Sequence, residues 1–387
     1  MKSNSPSTTS GFDALEGGPS GPVSGADGPA RRPRGSAERR YTSEYAELSR
    51  QVRAARLLRR RPLFYLLRVV VLVLLFAATG WAFLALGDSW WQLATAAVLG
   101  LLLTQVAYLS HDAAHRQIFS SGKWNERAAL LLGDVVVGLS YGWWMSKHSR
   151  HHANPNKVDV DPDIEPAALV FSPDEAAARH GRRSFSSWWV KRQGTLFFPL
   201  LLLAGLNLHV SSIRTVFGRG HVKHRAFEIP VLVARLTLYP VVLFAVLSPG
   251  LAVAFLGVQL AVFGLSMGSS FAPNHKGMPV VPRDLSVDFL RRQVLTSRNV
   301  RGGRFVDIAM GGLNYQIEHH LFPNMPLPGL RAAQPMVKQF CAEHGIAYTE
   351  AGLVESWRIV VRHLNRVGRA DLDPFQCPLA AQLRAPV

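Results

Sequence analysis

The segment His148-Ser149-Arg150-His151-His152 carries three histidines at relative positions 0, 3 and 4. On a helix this spacing brings the imidazoles to one face, where they offer several nitrogen ligands to one point in space. Packing does not explain the segment, because it is polar and follows Met145-Ser146-Lys147 rather than an apolar stripe. Similar clusters occur at His111-Asp112-Ala113-Ala114-His115 and Gln316-Ile317-Glu318-His319-His320. We interpret the three clusters as corners of one metal site.

The composition indicates a membrane protein. Apolar residues, 48% of the 387, gather in runs that are long enough to cross a bilayer, which needs roughly 20 residues per helix. The net charge of +17 would suggest nucleic acid as a partner of a soluble protein. Here residues 31–68, beside the first apolar run, hold twelve Arg and three Glu, a balance that favours anionic headgroups on the cytoplasmic face. We therefore expect a lipid bilayer as partner and no nucleic acid.

Two helical hairpins are predicted, each formed by two apolar runs around a short turn without cations. The runs comprise residues 63–86, 92–110, 229–247 and 251–271. His111 directly follows the second run, and His275 lies just beyond the fourth. The entry segments are basic, residues 69–110 contain no Lys or Arg, and residues 236–274 contain no charged residue. This pattern predicts a multi-pass protein of the cell membrane with both termini and the metal site on the cytoplasmic side.

Two further apolar segments, residues 128–145 and 195–210, could each be read as a span. One extra span would put His319 and His320 on the opposite side of the membrane from His111. If there is a single site, both segments are interfacial or partly buried helices.

The predicted fold is therefore an all-α integral membrane protein, with four transmembrane helices as two hairpins below a cytoplasmic helical cap that carries the His-rich site. Residues 330–344 and 350–366 alternate apolar and basic residues at helical spacing and are expected in the cap. Residues 1–40 have the composition of a disordered tail without a signal peptide. Residues 41–62 predict a basic amphipathic interfacial helix, and residues 369–387 a C-terminal tail.

The metal hypothesis depends on eight of the fourteen histidines. They are His111, His115, His148, His151, His152, His275, His319 and His320. Neutral imidazole binds Fe, Zn, Cu and Ni, and eight rings are too many for one tetrahedral zinc but suit two metal ions. The two cysteines, Cys341 and Cys377, exclude a disulfide scaffold, a Cys-rich zinc module and an iron–sulfur cluster held by this chain. Structural roles are expected for the other histidines, which are His180, His209, His221, His224, His344 and His363.

Several neighbours of the histidines have open roles. Asp112 and Glu318 are natural partners that would orient imidazoles, with helix capping as the alternative. Gln316 could be a distant ligand or a structural amide. Basic residues near the clusters could contact a CoA phosphate or lipid headgroup, or only face an anionic membrane. These are Lys147, Arg150 and Lys276.

The pattern His-Asp-x-x-His, His-x-x-His-His and Gln-x-x-His-His resembles the three histidine boxes of membrane fatty acid desaturases. The resemblance runs from about Leu63 to Gly345, and we take residues 63–368 as the desaturase domain. Phe271-Ala272-Pro273-Asn274-His275 is similar to an additional metal-binding segment of the family. A Gln that opens the third box resembles the linoleoyl-type branch and the actinobacterial acyl-CoA desaturases, whereas the animal Δ9 pattern has His there.

The resemblance implies two iron ions, the eight histidines as ligands with Gln316 open, four spans and an acyl-chain tunnel. It implies O₂-dependent insertion of a cis double bond into a fatty acyl chain carried by CoA or by a phospholipid. No His-Pro-Gly-Gly haem segment occurs in the chain, so electrons are expected from a separate ferredoxin- or reductase-type donor. An unactivated C–H gives acids, bases and nucleophiles nothing to attack, so no catalytic side chain beyond the metal ligands is predicted.

Two other functions compete with desaturation. A di-iron lipid or alkane hydroxylase would use the same metal site, and the residues alone do not separate it from a desaturase. A metal transporter would need ionisable residues deep within its spans, and residues 69–110 and 236–274 provide almost none.

Overall fold

The computed structural model describes residues 36–180, 185–372 and 378–384, which are mostly helical. In chain order the α-helices are α1 (Ser36–Ala54), α2 (Pro62–Leu86), α3 (Gln92–Ala114), α4 (Gly122–Leu130), α5 (Tyr141–Ala153), α6 (Pro173–His180), α7 (Phe185–Lys191), α8 (Phe197–Leu201), α9 (Ala204–Phe217), α10 (Arg225–Val246), α11 (Pro249–His275), α12 (Phe289–Leu295), α13 (Gly303–Ala309), α14 (Gln316–Leu321), α15 (Leu327–Glu343), α16 (Leu353–Gly368) and α17 (Pro378–Arg384). A π-helical segment, Leu131–Val137, continues α4, and a 3₁₀ turn spans Pro162–Ile164. Two strands, β1 (Asn299–Arg301) and β2 (Glu350–Gly352), pair in parallel with Val300 opposite Ala351.

Four helices, α2, α3, α10 and α11, are long and apolar enough to cross a membrane, which confirms the two predicted hairpins. Two of them extend past the predicted ends of their apolar runs. Helix α3 continues to Ala114 and α11 to His275, so His111 and His275 lie on the last turns of spanning helices. The spans themselves therefore deliver part of the histidine set.

Helices α3 and α11 form the inner pair of spans. In the most apolar 18-residue stretch of each helix, half of the residues of α3 and a third of those of α11 are buried, compared with 6% for α2 and 11% for α10. The inner pair packs closely because α3 has a glycine at the contact. A Cβ at Gly100 would lie 2.8 Å from the carbonyl oxygen of Gln259, so a larger residue would push α3 and α11 apart.

The two hairpin turns lie at the same end of the bundle. Asp88 in the first turn accepts a hydrogen bond from the Ser248 amide in the second turn, at 2.8 Å. Within the first hairpin, the Gln92 amide donates to the carbonyls of Phe83 and Gly87. Because both turns meet at one end, the histidine-bearing ends of α3 and α11 meet at the other.

The two ambiguous segments form shorter helices. Residues 128–145 cover the end of α4, the π-helical segment and the start of α5, and the path bends by 116° between Gly122–Val137 and Tyr141–Ala153. A fifth span would result if this bent pair crossed the membrane. The histidines of α5 contact those of α3, however. The bent pair therefore begins and ends on the same side of the membrane. Residues 195–210 form α8 and part of α9, which are not long enough to be candidate spans.

The cap is built on an apolar core shared by α1, α12, α14, α15 and α17. Leu48 of α1, Leu290 of α12 and Phe340 of α15 are buried in this core. Helix α1 begins at Ser36 rather than Tyr41, so residues 36–40 of the predicted tail are helical, and the rest of that tail lies outside the described residues. Leu383 of α17 also enters the core, so part of the predicted C-terminal tail is a packed helix.

The two expected cap helices are present with shifted bounds. Helix α15 covers the first, and α16 begins only at Leu353 because residues 350–352 form β2. Within the described residues, this short strand pair departs from the all-α prediction. It places Asn299 of β1 beside α14, which carries the third histidine cluster.

Candidate metal centre

The structure brings all eight predicted histidines together at the end of the inner spans, in two groups. The first group has five imidazoles, whose nitrogen atoms lie within 4.8 Å of one another, from His111, His115, His148, His152 and His319. The second group has three, from His151, His275 and His320, at the same maximum separation. Within the groups, Nε2 of His115 lies 2.8 Å from Nε2 of His148, and Nε2 of His151 lies 3.2 Å from Nε2 of His275.

The protein holds the outer nitrogen of each ring in the three-histidine group. Nδ1 of His151 lies 3.0 Å from Asp161, Nδ1 of His275 lies 2.9 Å from the Thr296 carbonyl, and Nδ1 of His320 lies 2.9 Å from Oε1 of Gln293. An acceptor at Nδ1 fixes the tautomer with the proton on that nitrogen and leaves Nε2 as a lone-pair donor. The three Nε2 atoms therefore converge as potential metal ligands.

Buried nitrogen atoms without a protein partner give an independent test of a metal fit. Among the described residues, Nε2 of His111, Nδ1 of His152 and Nε2 of His320 are buried and have no hydrogen-bond partner. A buried, unpaired polar atom costs about 1–3 kcal/mol, so three at one site require compensation. Two of these atoms belong to the five-histidine group and one to the three-histidine group, and all are imidazole nitrogens of the kind that binds transition metals. The residues present fit a two-metal centre.

The electrostatics of the site favour neutral rings in α14. Burial lowers the pKa of His319 and His320 well below the ordinary value, and neighbouring imidazoles lower it further. For His151, burial also lowers the pKa, but Asp163 and Asp161 outweigh it and hold the pKa above its usual range. Neutral imidazole is the ligating form, so most of the cluster is ready to bind metal without losing protons.

Helix α5 is anchored at its start by two buried carboxylates. Its N-cap is Ser140, whose hydroxyl accepts from the Trp143 amide at 2.9 Å and donates to Glu228. Glu228 also accepts from the Gly142 amide at 3.1 Å, and Asp134 accepts from the Tyr141 amide at 3.3 Å. These bonds satisfy the free amides of the first turn and fix the position of the helix that carries three of the histidines.

Helix α14 is held by β1 and by the loop before β2. The Ile317 amide donates to Oδ1 of Asn299 at 2.9 Å. Glu318 is buried and accepts from Asn299 and from the Tyr348 hydroxyl, each at 2.7 Å. Burial raises the pKa of Glu318 to about 7, although these two donors lower it. Glu318 therefore contacts the scaffold of α14 and no imidazole among the described residues, in contrast to the orienting role predicted for it.

Asp112 and Gln316 lie beside the site. Oδ1 of Asp112 is 3.6 Å from Nδ1 of His111, and the same carboxylate accepts from Arg68 at 2.9 Å. The Gln316 amide nitrogen lies 2.9 Å from Nε2 of His275, while its oxygen accepts from Asn274 at 3.0 Å. Gln316 thus adjoins the three-histidine group with its amide nitrogen. Its oxygen would face the group as a ligand only if the side-chain amide were flipped.

The three basic residues near the clusters have partners within the protein. Lys147 lies 2.8 Å from Asp163, and Lys276 donates to the Asp163 carbonyl at 2.7 Å. Arg150 lies 3.8 Å from Glu165. The acidic loop of residues 159–166 therefore balances these cations, which does not favour their binding an external phosphate.

The histidines expected to be structural lie outside both groups. His209 contacts the Gly205 carbonyl at 2.8 Å, His224 contacts Glu126 at 2.8 Å and His344 contacts the Phe340 carbonyl at 2.9 Å. His221 is exposed, His363 is half-buried in α16, and the His180 side chain lies outside the described residues.

Sequence reasoning missed the residues that orient the rings. Asp161, Gln293 and Thr296 come from loops and from a short helix, and neither their spacing nor their neighbours mark them. Asp161 lies in the acidic loop of residues 159–166, whose sequence does not indicate which carboxylate would reach a histidine. Trp144 stacks on His148 with ring centroids 4.2 Å apart, and its position four residues earlier on one helix face was an available signal.

A narrow apolar cleft of about 50 Å³ reaches the five-histidine group from between α3, α5 and α11. Its walls include His111 and Trp144 on the metal side and Val137, Met267 and Phe271 on the other sides. Most of the cleft lining is apolar, and His111 of the five-histidine group forms part of its wall.

Comparisons with known proteins agree with the site. Residues 88–352, more than half of the chain, match the family model described as Fatty acid desaturase. The chain is 30% identical over 337 residues to the acyl-lipid (9-3)-desaturase of Physcomitrium patens, covering 80% of this chain and 60% of that protein. It is 27% identical over 303 residues to the Delta(8)-fatty-acid desaturase of Helianthus annuus, covering 73% and 64%.

A third relative is covered over more of its length. The chain is 30% identical over 317 residues to a Delta(5) fatty acid desaturase of Caenorhabditis elegans, covering 79% of this chain and 69% of that protein. Against the plant and moss relatives the alignment spans less than two thirds of the relative's length. The family match contains all three histidine clusters and His275, and the chain belongs to the fatty acid desaturase family.

Proposed function

We propose that this protein is an O₂-dependent desaturase that inserts a cis double bond into a fatty acyl chain at a centre of two iron ions. The observation that supports it best is the division of eight imidazoles into two groups, one of which borders an apolar cleft at His111. A single structural metal would not need two groups, and a soluble substrate would not need a cleft with apolar walls.

The five-histidine group would hold one iron ion, and the three-histidine group would hold the other. When bound, such a centre supplies the oxidising power toward O₂ and an unactivated C–H bond that no side chain supplies. Asp161, Gln293 and the Thr296 carbonyl would keep three rings in the ligating tautomer. Gln316 would complete the smaller group if its amide turned its oxygen toward the metal.

The cleft would position the substrate. Its apolar walls favour an alkyl segment over water, and water exclusion would protect the oxidising site from side reactions. Trp144 lines the cleft and stacks on His148, so it would set the distance between the acyl chain and the five-histidine group. The cleft would have to widen to admit a full acyl chain.

The substrate, donor and location follow as further parts of the proposal. Relatives named as acyl-lipid and fatty acid desaturases favour an acyl chain on a phospholipid or on CoA as substrate. Electrons would come from a separate ferredoxin- or reductase-type protein. The basic residues before α2 favour a cell-membrane protein with the histidines and both termini on the cytoplasmic side, and the Gln-x-x-His-His box favours the linoleoyl-type or actinobacterial branch.

The decisive experiment is expression in a host that lacks unsaturated fatty acids, followed by gas chromatography–mass spectrometry of the fatty acid methyl esters. The wild type should give new products two hydrogens lighter than the saturated chain. His151→Ala in the second box and His320→Ala in the third, both in the three-histidine group, should abolish them while the protein still inserts into membranes. His221→Ala changes an exposed histidine outside both groups and should behave like the wild type.

Two results would contradict the proposal. Unchanged double-bond formation in His151→Ala and His320→Ala would remove the histidine groups from the reaction. Products heavier by one oxygen would identify a hydroxylase with the same metal site.

A further inference from the structure

A second cavity lies between the inner spans, away from the histidines. It measures about 320 Å³, which is within the usual range of about 300–1,000 Å³ for ligand pockets. Helices α3 and α11 form its walls, and α13 and α16 cover it from the cap side. Its lining comprises Leu101, Leu102, Thr104, Gln105, Ser266, Ser269, Ser270, Phe305, Ala309, Met310, Leu353 and Trp357. It shares no lining residue with the cleft at His111.

Most polar groups in this lining are already bonded to the protein. The hydroxyls of Thr104 and Ser270 donate to carbonyls one turn earlier in their own helices, at 2.9 and 2.7 Å. The Gln105 amide donates to the Ile308 carbonyl, and the Trp357 indole donates to the Ser269 carbonyl, each at 2.9 Å. The cavity therefore offers few hydrogen bonds to water, and it suits a hydrocarbon chain.

The rim of the cavity exposes large apolar side chains where the spans meet the cap. Phe305 and Ile308 of α13 are 75% and 66% exposed, and Val354 of α16 is 54% exposed. Trp357, beside them, occupies the position of an interfacial aromatic. Exposed apolar residues on short cap helices at this level are typical of surfaces that enter the headgroup region of a bilayer.

Cations accompany the apolar rim. Arg304 precedes Phe305 on α13, is exposed, and pairs with no carboxylate among the described residues. Arg358 follows Trp357 on α16 and is 3.7 Å from Glu355, which also pairs with Arg362. Arg358 and Arg362 thus share one acidic partner, Glu355, and Arg304 has none among the described residues, so the rim has a positive balance.

We propose that this cavity binds one anionic glycerophospholipid that is not the substrate. An acyl chain would fill the space between α3 and α11, and the headgroup phosphate would contact Arg304 and Arg358. The lipid would touch two spans and two cap helices at once, so it would stabilise the cap on the membrane domain.

The test uses the full-length protein, purified in detergent, and native mass spectrometry with dioleoyl phosphatidylglycerol or dioleoyl phosphatidylcholine as the probe. One phosphatidylglycerol should remain bound in preference to phosphatidylcholine. Arg304→Gln and Arg358→Gln should each weaken retention about fivefold, since one cation near an anionic lipid contributes about that factor. Arg369→Gln is the matched control, because it removes an exposed charge near the other end of α16, 3.2 Å from Asp371.

Ser266→Leu should fill the cavity and abolish retention, with desaturation left intact. Should that variant fail to fold, the thermal stability of the wild type decides the matter, because phosphatidylglycerol should raise its unfolding temperature more than phosphatidylcholine does. Equal retention of both lipids, or equal losses in the Arg304, Arg358 and Arg369 variants, would overturn the proposal. A fall in desaturation that parallels the loss of lipid would also overturn it, since the cavity would then belong to the substrate path.

Discussion

Asp161→Asn tests whether the acidic loop orients the three-histidine group. Both oxygens of Asp161 accept backbone amides, Oδ2 from Asn156 at 2.7 Å and Oδ1 from Asp163 at 2.9 Å. His151 lies 3.0–3.1 Å from the same two oxygens. An asparagine would put its NH₂ group against one of these amides in either orientation. At least one buried donor would therefore lose its acceptor.

Two magnitudes follow from this geometry. The unsatisfied donor should destabilise the fold by about 1–3 kcal/mol. The loss of the carboxylate that contacts Nδ1 of His151 should weaken metal binding about 10–100-fold. The second effect needs no change in fold, because the substitution keeps the size of the side chain.

The assay measures iron bound per chain during equilibrium dialysis against graded chelator, with thermal unfolding recorded on the same samples. Asp159→Asn is the matched control, since Asp159 lies in the same loop, is 59% exposed and pairs with Arg283 at 3.4 Å. We expect this control to bind iron like the wild type. Iron retention by Asp161→Asn equal to that of the control would refute the orienting role of Asp161.

Three further substitutions test packing, the α14 anchor and the cleft. Gly100→Leu should destabilise the detergent-solubilised protein by about 1–3 kcal/mol, because its Cβ meets a carbonyl of α11. The control Gly80→Leu, whose Cβ meets nothing within 4 Å, should leave the unfolding temperature unchanged. Tyr348→Phe removes a donor to the buried Glu318 and should cost about 1–3 kcal/mol, and an unchanged unfolding temperature would show that the bond adds nothing. Ala107→Phe should obstruct the cleft and lower product formation about tenfold or more with unchanged iron content, and normal product yield would place the acyl chain elsewhere.

The membrane fold was predictable because the solvent imposes it. A helix in lipid must be apolar along roughly 20 residues. Long apolar runs without cations can therefore be recognised in a single sequence. The same constraint located the turns at Asp88 and Ser248. It could not reveal that α3 and α11 are the inner pair, since all four runs are apolar and the burial of α3 depends on partners such as Gln259 that are far away in sequence.

The positions of the histidines were predictable, whereas their supports were not. Ligands on a helix repeat at three or four residues, so His111 and His115 were recognisable as a pair. The groups that orient the rings need only accept a hydrogen bond from Nδ1 of an imidazole. Any acceptor within reach can do this, so no sequence spacing marks these groups. Thr296 supplies a backbone carbonyl, which leaves no trace in the residue type, and Glu228 reaches the start of α5 from 88 positions away.

The division into two groups follows from helix geometry. Successive residues on a helix are rotated by about 100°, so adjacent histidines diverge while those four apart align. His148 and His152 accordingly join the first group and His151 the second, so the three rings of α5 do not meet at one point as the sequence alone suggested. His319 and His320 diverge in the same way. Each of these two helices therefore lies between the groups, and an adjacent His-His pair is a simple way for one helix to contribute a ring to each group.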